Sequence, residues 1–177
     1  MFGKQKIGKK EFSKIYDEHV AKIYRFIFLK VSSKEIAEDI TSQTFLKFWE
    51  NREGVKEPRS FLYRIARNLV IDFYRQRGKS PIYSEEMLVS ITDEKTNIEE
   101  RIIWDAQTAE VKEAISKIKP EHAEAIILHY LEDLSIKETA KIIERPEGTI
   151  RVMLHRGLEE LREKLREKEG GQGFVTK

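Results

Sequence analysis

Four histidines and many carboxylates are the first candidates for chemistry, and their spacing argues against it. His19, His122, His129 and His155 fit no HExxH or histidine–carboxylate pattern that would set metal ligands on one helix face. His122 and His129 are two helical turns apart, an interval that usually means packing. Glu38 and Asp39 are adjacent, so on a helix they diverge by about 100° and do not share acid–base work. No glycine-rich phosphate cradle and no GxSxG elbow occurs. There are no cysteines, which excludes disulfides, thiolate zinc sites and a cysteine nucleophile. The expectation is a non-enzyme, with no cofactor and no metal.

Two stretches carry a different chemistry, the gripping of nucleic acid. In RSFLYRIARNLVIDFYRQRGK, the residues Leu62, Ile65, Ala66, Leu69, Val70 and Phe73 form an apolar face. Ser60, Arg64, Arg67, Asn68 and Arg75 fall within about 60° of one another on the other side of a helix. Phe61 lies at the border, with Tyr63 nearby. Residues 51–79 hold eight Lys/Arg against three Asp/Glu. Arginines hold phosphates, and aromatics stack on unpaired bases. A plain solvated helix face is the competing reading.

The second stretch runs from Leu131 to Leu165 and reads as two helices with a break. Ser135 and Glu138 make a candidate capping box. Ile136, Ala140 and Ile143 form the buried stripe of the first helix. Pro146 disfavours a helical Arg145, and the second helix starts near Glu147. Ile150, Met153, Leu154, Leu158, Leu161 and Leu165 give it an apolar stripe. Thr149, Arg151, Val152, His155 and Arg156 are left on the opposite face. That is the pattern of a helix laid in the major groove, or of an ordinary helical hairpin.

The elements that must position these residues are all helical. With 177 residues, the chain has room for one mid-sized or two small domains. A net charge of +2 gives no global basic field, so any nucleic-acid grip is local. No apolar run follows MFGKQKIGKK, so neither a signal peptide nor membrane insertion is expected; the lack of cysteine is compatible with a reducing, cytoplasmic setting. Residues 1–10 read as a basic N-terminal arm. An amphipathic helix from Glu11 uses Phe12, Ile15, Tyr16, Val20, Ile23, Tyr24, Ile27 and Phe28. Ser32 and Glu35 are a candidate capping box for a helix through Ile36, Ala37, Ile40, Thr44, Phe45, Phe48 and Trp49. Asn51–Pro58 is a loop, and the basic helix completes a domain over 11–79. Residues 80–105, with seven Asp/Glu against two Lys/Arg, read as a flexible acidic linker reaching up to ~90 Å. A second domain over 106–168 holds helices near Ala106–Ile118 and Ala123–Leu131, then the helix pair; Pro120 suits a first helical turn. Residues 169–177 read as a disordered tail.

The segments AEDITSQTFLKFWE, SFLYRIARNLVIDFYRQR and GTIRVMLHRGLEELREKL resemble the bacterial RNA polymerase sigma factors of the sigma-70 family, and within it the small extracytoplasmic-function (ECF) group, which keeps only the second and fourth conserved regions. The resemblance implies a subunit that binds core RNA polymerase and promoter DNA. Asp39, Ser42, Gln43, Phe45 and Trp49 would contact the polymerase clamp. Phe61, Arg64, Arg67, Asn68, Asp72 and Arg75 would line the path of the minus-ten strand, with loop Asn51–Pro58 capturing a flipped base. Arg145, Glu147, Thr149, Arg151, His155 and Arg156 would read the minus-thirty-five element. An anti-sigma factor is the implied inhibitory partner. The chain departs from the family pattern at Ser42-Gln43, Glu144, Met153, Gly157 and Leu158. A free-standing helix-turn-helix regulator with an N-terminal sensing or dimerisation domain is the alternative.

Overall fold

The computed structural model describes residues 7–31, 33–78 and 113–171. The regular elements among them are helices: α1 (Lys9–Val31), α2 (Lys34–Glu50), α3 (Pro58–Gln76), α4 (Pro120–Ile126), α5 (Ile136–Ile143) and α6 (Glu147–Gly171). A wide π-turn, Ile127–Leu131, continues α4, and residues 113–116 are also helical. The fold is all-α, as the periodicities imply. The acidic linker lies outside the described residues, as does most of the helix expected near Ala106–Ile118.

The chain divides into two compact units. One holds α1 to α3 together with Lys137–Arg145; the other holds the remainder, including α4 and α6.

In the first unit α1, α2 and α3 all pack on one another. Ile23, Phe26 and Ile27 of α1, Ala37 and Phe48 of α2, and Leu62, Tyr63 and Ala66 of α3 are fully buried. Two threonines enter this core without cost in lost hydrogen bonds. Thr41 and Thr44 donate back to the carbonyls of Ala37 and Ile40 at 2.6 and 2.7 Å. The α1–α2 break is capped by Ser33, not Ser32: its Oγ accepts from the Ile36 N–H at 3.5 Å and donates to Glu35 at 3.1 Å. Glu35 thus answers the cap hydroxyl, not the backbone N–H that a capping box requires. Asn51 closes α2, its amide and its own N–H both donating to the Lys47 carbonyl. Pro58 opens α3, where the missing N–H costs nothing. The Lys141 Nζ is 2.5 Å from a Glu57 carboxylate oxygen just before it.

The expected arm is partly built into the fold. Ile7 is 2% exposed, and its carbonyl accepts from the Arg52 Nε at 3.0 Å. At the other end, α6 runs to Gly171, three residues into the expected tail.

In the second unit α4 packs against α6. Ala123, Ala125 and Ile126 are buried in α4, Leu128 in the turn after it, and Ile150, Met153 and Leu154 in α6. The approach is close at Gly157, where a Cβ would lie 2.8 Å from Ile126 Cδ1 and 3.1 Å from His122 Cβ. Glu160 joins the two helices, 3.0 Å from His122 Nδ1 and accepting from the Lys119 N–H at 3.0 Å. Leu158, Leu161 and Leu165 are only half-buried.

His19 lies on the inner face of α1, 6% exposed, where the sequence pattern placed only apolar residues. Burial lowers its pKa from 6.5; Glu18 opposes this, and Lys22 and Arg59 reinforce it. The fold therefore favours neutral His19 over the unfolded chain. That stability is present in full above pH 6.5 and is lost as pH falls through the unfolded and then the folded value. We expect the melting temperature of the first unit to drop between about pH 7.5 and about pH 5, and His19→Leu to flatten that slope. An unchanged slope in the variant would show that another group is responsible.

Candidate nucleic-acid interface

The first surface is built by the segment between α2 and α3 and by the outer face of α3. Gly54, at φ +78°, turns this segment in a conformation that disfavours other residues. A pocket of about 360 Å³ is lined by Gly54, Val55, Lys56, Glu57, Ser60, Phe61, Arg64 and Lys141. Ser60 is 6% exposed and its Oγ has no partner, although the helical wheel placed it on the outer basic face. The Arg64 guanidinium lies 5.3 Å from the Phe61 ring centroid. An aromatic ring beside a guanidinium in one recess suits a planar ligand, while the Ser60 oxygen is closed off beneath it.

Beyond the pocket, Arg64 and Asn68 are exposed along α3, while Phe61, Arg67 and Asp72 are half-buried. Arg75 is exposed but held by Asp72 at 2.6 Å, so phosphate binding there has a competing carboxylate. Tyr63 is fully buried, edge-on to Phe26 with centroids 5.3 Å apart. It supports α3 and offers no stacking surface. The reason is that α3 packs on two helices, so its buried arc is wider than a single-contact stripe.

The loop entrance depends on Arg52, which the sequence did not single out. Besides the Ile7 carbonyl, Arg52 donates to the Trp49 carbonyl and its guanidinium stacks 3.5 Å from the Trp49 ring centroid. Phe12 packs edge-on to the same ring, with centroids 5.0 Å apart. Arg52 thus ties the N-terminal segment, the end of α2 and the loop together.

A second surface lies on α2. Asp39, Ser42 and Gln43 are exposed on one stripe, with Gln43 donating to Asp39 at 3.0 Å. Phe45 is buried at 3% exposure, and Leu46 beside it is 57% exposed. Lys9, Phe12, Phe45, Leu46 and Trp49 line a shallow apolar recess. Phe45 is therefore its floor and Leu46 its exposed apolar rim.

The third surface is the start of α6. Glu147, Thr149, Arg151, Val152, His155 and Arg156 are exposed, and Ile150, Met153 and Leu154 are buried. Met153, where the family often has arginine, thus belongs to the packing face. Arg151 is paired with Glu147 at 3.1 Å and His155 with Glu159 at 3.5 Å. Arg145 is exposed in the preceding turn. Glu144 there has φ +61°, and the Arg145 N–H donates to the Ala140 carbonyl at 3.1 Å. This is a helix-ending motif whose left-handed position usually takes glycine.

Among the described residues no cluster of His, Asp and Glu is placed to hold a metal ion, and no helix is long and apolar enough to cross a membrane.

Comparison with known proteins agrees with this geometry. The family model for sigma-70 region 2 matches residues 15–80, and that for sigma-70 region 4 matches residues 108–161. The ECF RNA polymerase sigma factor SigW of Bacillus subtilis is 32% identical over 170 residues, covering 88% of this chain and 89% of that protein. The ECF RNA polymerase sigma factor BldN of Streptomyces coelicolor is 31% identical over 156 residues, covering 85% of this chain; the match spans only 58% of BldN. Among solved structures, sigma factor RpoE from Bartonella quintana, in complex with the anti-sigma factor NepR, has the same fold, with a TM-score of 0.69 at 23% identity, covering 89% of this chain and 98% of that one. CnrH, in complex with the cytosolic domain of CnrY, gives 0.64 at 16% identity, covering 90% of each chain.

Two changes test the local geometry. Glu144→Gly should raise stability by about 1 kcal/mol by relieving the left-handed position, seen as a higher urea midpoint at unchanged slope. Arg52→Ala should cost ~1–3 kcal/mol by removing its hydrogen bonds and ring contact. A midpoint unchanged by Arg52→Ala would mean that the guanidinium does not anchor the loop.

Proposed function

As the chain belongs to the sigma-70 family of RNA polymerase sigma factors, in its ECF group, we propose that it acts as the promoter-recognition subunit of core RNA polymerase in the cytoplasm, without chemistry of its own. The work is binding and strand separation. The observation that carries the residue-level reading is the recess at Ser60, Phe61 and Arg64. It sets the Phe61 ring beside the Arg64 guanidinium at the head of a helix whose outer side presents Arg64 and Asn68.

Taking a base out of a duplex costs a few kcal/mol. Stacking recovers about 1–3 kcal/mol per base. In this reading the loop around Gly54 and the Ser60 recess take a flipped base of the minus-ten element. Phe61, Arg64, Arg67 and Asn68 carry the strand, with Asp72 orienting Arg75. The start of α6 enters the major groove of the minus-thirty-five element, using Thr149, Arg151, His155 and Arg156, with Arg145 on the backbone and Glu147 steering Arg151. Asp39, Ser42, Gln43 and Leu46 meet the polymerase clamp above the Phe45 and Trp49 floor. The same apolar recess suits an anti-sigma factor, the class of partner that RpoE of Bartonella quintana holds in its solved complex. The domain boundaries in this reading are 11–79 and 106–168.

The test is transcription with purified core polymerase on a promoter selected from a library. Arg151→Ala should weaken upstream recognition by ~1–3 kcal/mol. Asn68→Ala should slow strand opening and recover on a template already melted at the minus-ten element. Equal defects of both variants on the pre-melted template would overturn the division of labour; no effect of the protein on initiation would overturn the function.

A further inference from the structure

Val152 is an apolar residue that lies outside the core, among the polar and charged residues of the outer face of its helix. It is 48% exposed on α6, one residue after Arg151 and between the turns that carry Thr149 and His155, all exposed. A β-branched side chain is a poor choice for a solvated helix position, so helix stability does not call for it. One turn earlier stands Gly148, and nothing lies within 4 Å of where its Cβ would be. Helical side chains lean toward the N-terminus of their helix. Val152 is thus an exposed apolar side chain with open space on its N-terminal side at Gly148, on a face whose other side chains, Thr149, Arg151, His155 and Arg156, are polar or charged.

We propose that Val152, over the Gly148 gap, is a specificity-determining residue that reads the C5-methyl group of one thymine in the upstream promoter element. This rests on α6 lying in the major groove of that element. The chemistry selects the ligand. Of the groups on base edges in the major groove, all but one are hydrogen-bond donors or acceptors; the thymine methyl is the apolar one. Val152 has no polar atom with which to meet any of the others. Arg151 and Arg156 on either side fix the helix on phosphates or guanine, and the apolar Val152 side chain between them prefers thymine to cytosine at a single step.

Replacing thymine by deoxyuridine removes that methyl group and nothing else. The experiment uses the full chain with core polymerase on duplex promoters. Each upstream thymine is exchanged for deoxyuridine in turn, and competitive binding and run-off transcription are read. Wild-type protein should lose about fourfold at one position, the worth of one buried methyl group. Val152→Ser and Val152→Ala, surface changes that leave the core intact, should bind thymine and deoxyuridine there equally. If no position responds, or if the response is the same in wild type and both variants, the assignment of Val152 is overturned. Arg151→Ala separates the two levels. If it still weakens upstream recognition, the groove reading stands and Val152 alone is refuted. If Arg151→Ala and every thymine exchange are silent, α6 does not read this element and both readings fall.

Discussion

The packing of α3 against both α1 and α2 is the constraint on which the first surface depends. A helix with one neighbour buries a stripe, whereas a helix with two buries a broad arc. Leu62, Tyr63, Ala66 and Val70 fill that arc, and Ser60 is drawn in with them. Only a narrow outer strip is left, and Arg64 and Asn68 stand on it. Their direction is therefore set by the apolar core beneath and not by their own polarity. The same seal produces the orphaned Ser60 hydroxyl, because a polar group carried inward with the arc finds no protein partner. Packing thus creates both the outward strip of Arg64 and Asn68 and the buried, unsatisfied hydroxyl beside its start.

The second unit reaches a comparable result by a different route. There α4 crosses α6 where Gly157 leaves out a side chain. Ile150, Met153 and Leu154 turn inward and the residues between them turn out. The Glu147–Arg151 and His155–Glu159 pairs hold two of the outward groups without burying them. Exposed pairs of this kind contribute little stability, so they bias geometry while leaving the Arg151 guanidinium free to exchange its carboxylate for a phosphate.

Much of this was legible in the sequence because helical periodicity is a direct record of burial. The six apolar positions of α6 and the inner positions of α3 follow from spacing alone. Other features were not, for identifiable reasons. Tyr63 and Ser60 sit at the edge of the helical wheel, and whether an edge position is buried depends on how many neighbours the helix has. Phe45 and Leu46 are adjacent apolar residues, and only the packed structure shows which is floor and which is rim. Ile7 is a single apolar residue in a lysine-rich segment, tied down by Arg52 forty-five positions away, and no local pattern encodes that bond. The Ser33 cap illustrates a smaller ambiguity, two serines in a row between which spacing alone does not choose; Ser32 lies outside the described residues. Val152 was visible on the outer face, yet its apolar character acquires meaning only beside the empty space at Gly148.

Gly157 has a consequence that reaches beyond its own neighbourhood. α6 is a 25-residue rod about 37 Å long, and it pivots where it crosses α4. From Gly157 to Thr149 is ~12 Å along the axis, so a tilt of about 5° at the crossing swings the tip by ~1 Å, a third of a hydrogen-bond length. A bulkier residue at the fulcrum would re-aim the tip while leaving every group on it unchanged. The direction in which the exposed residues at the start of α6 point can therefore be set from the hidden side of the lever, at the buried position Gly157.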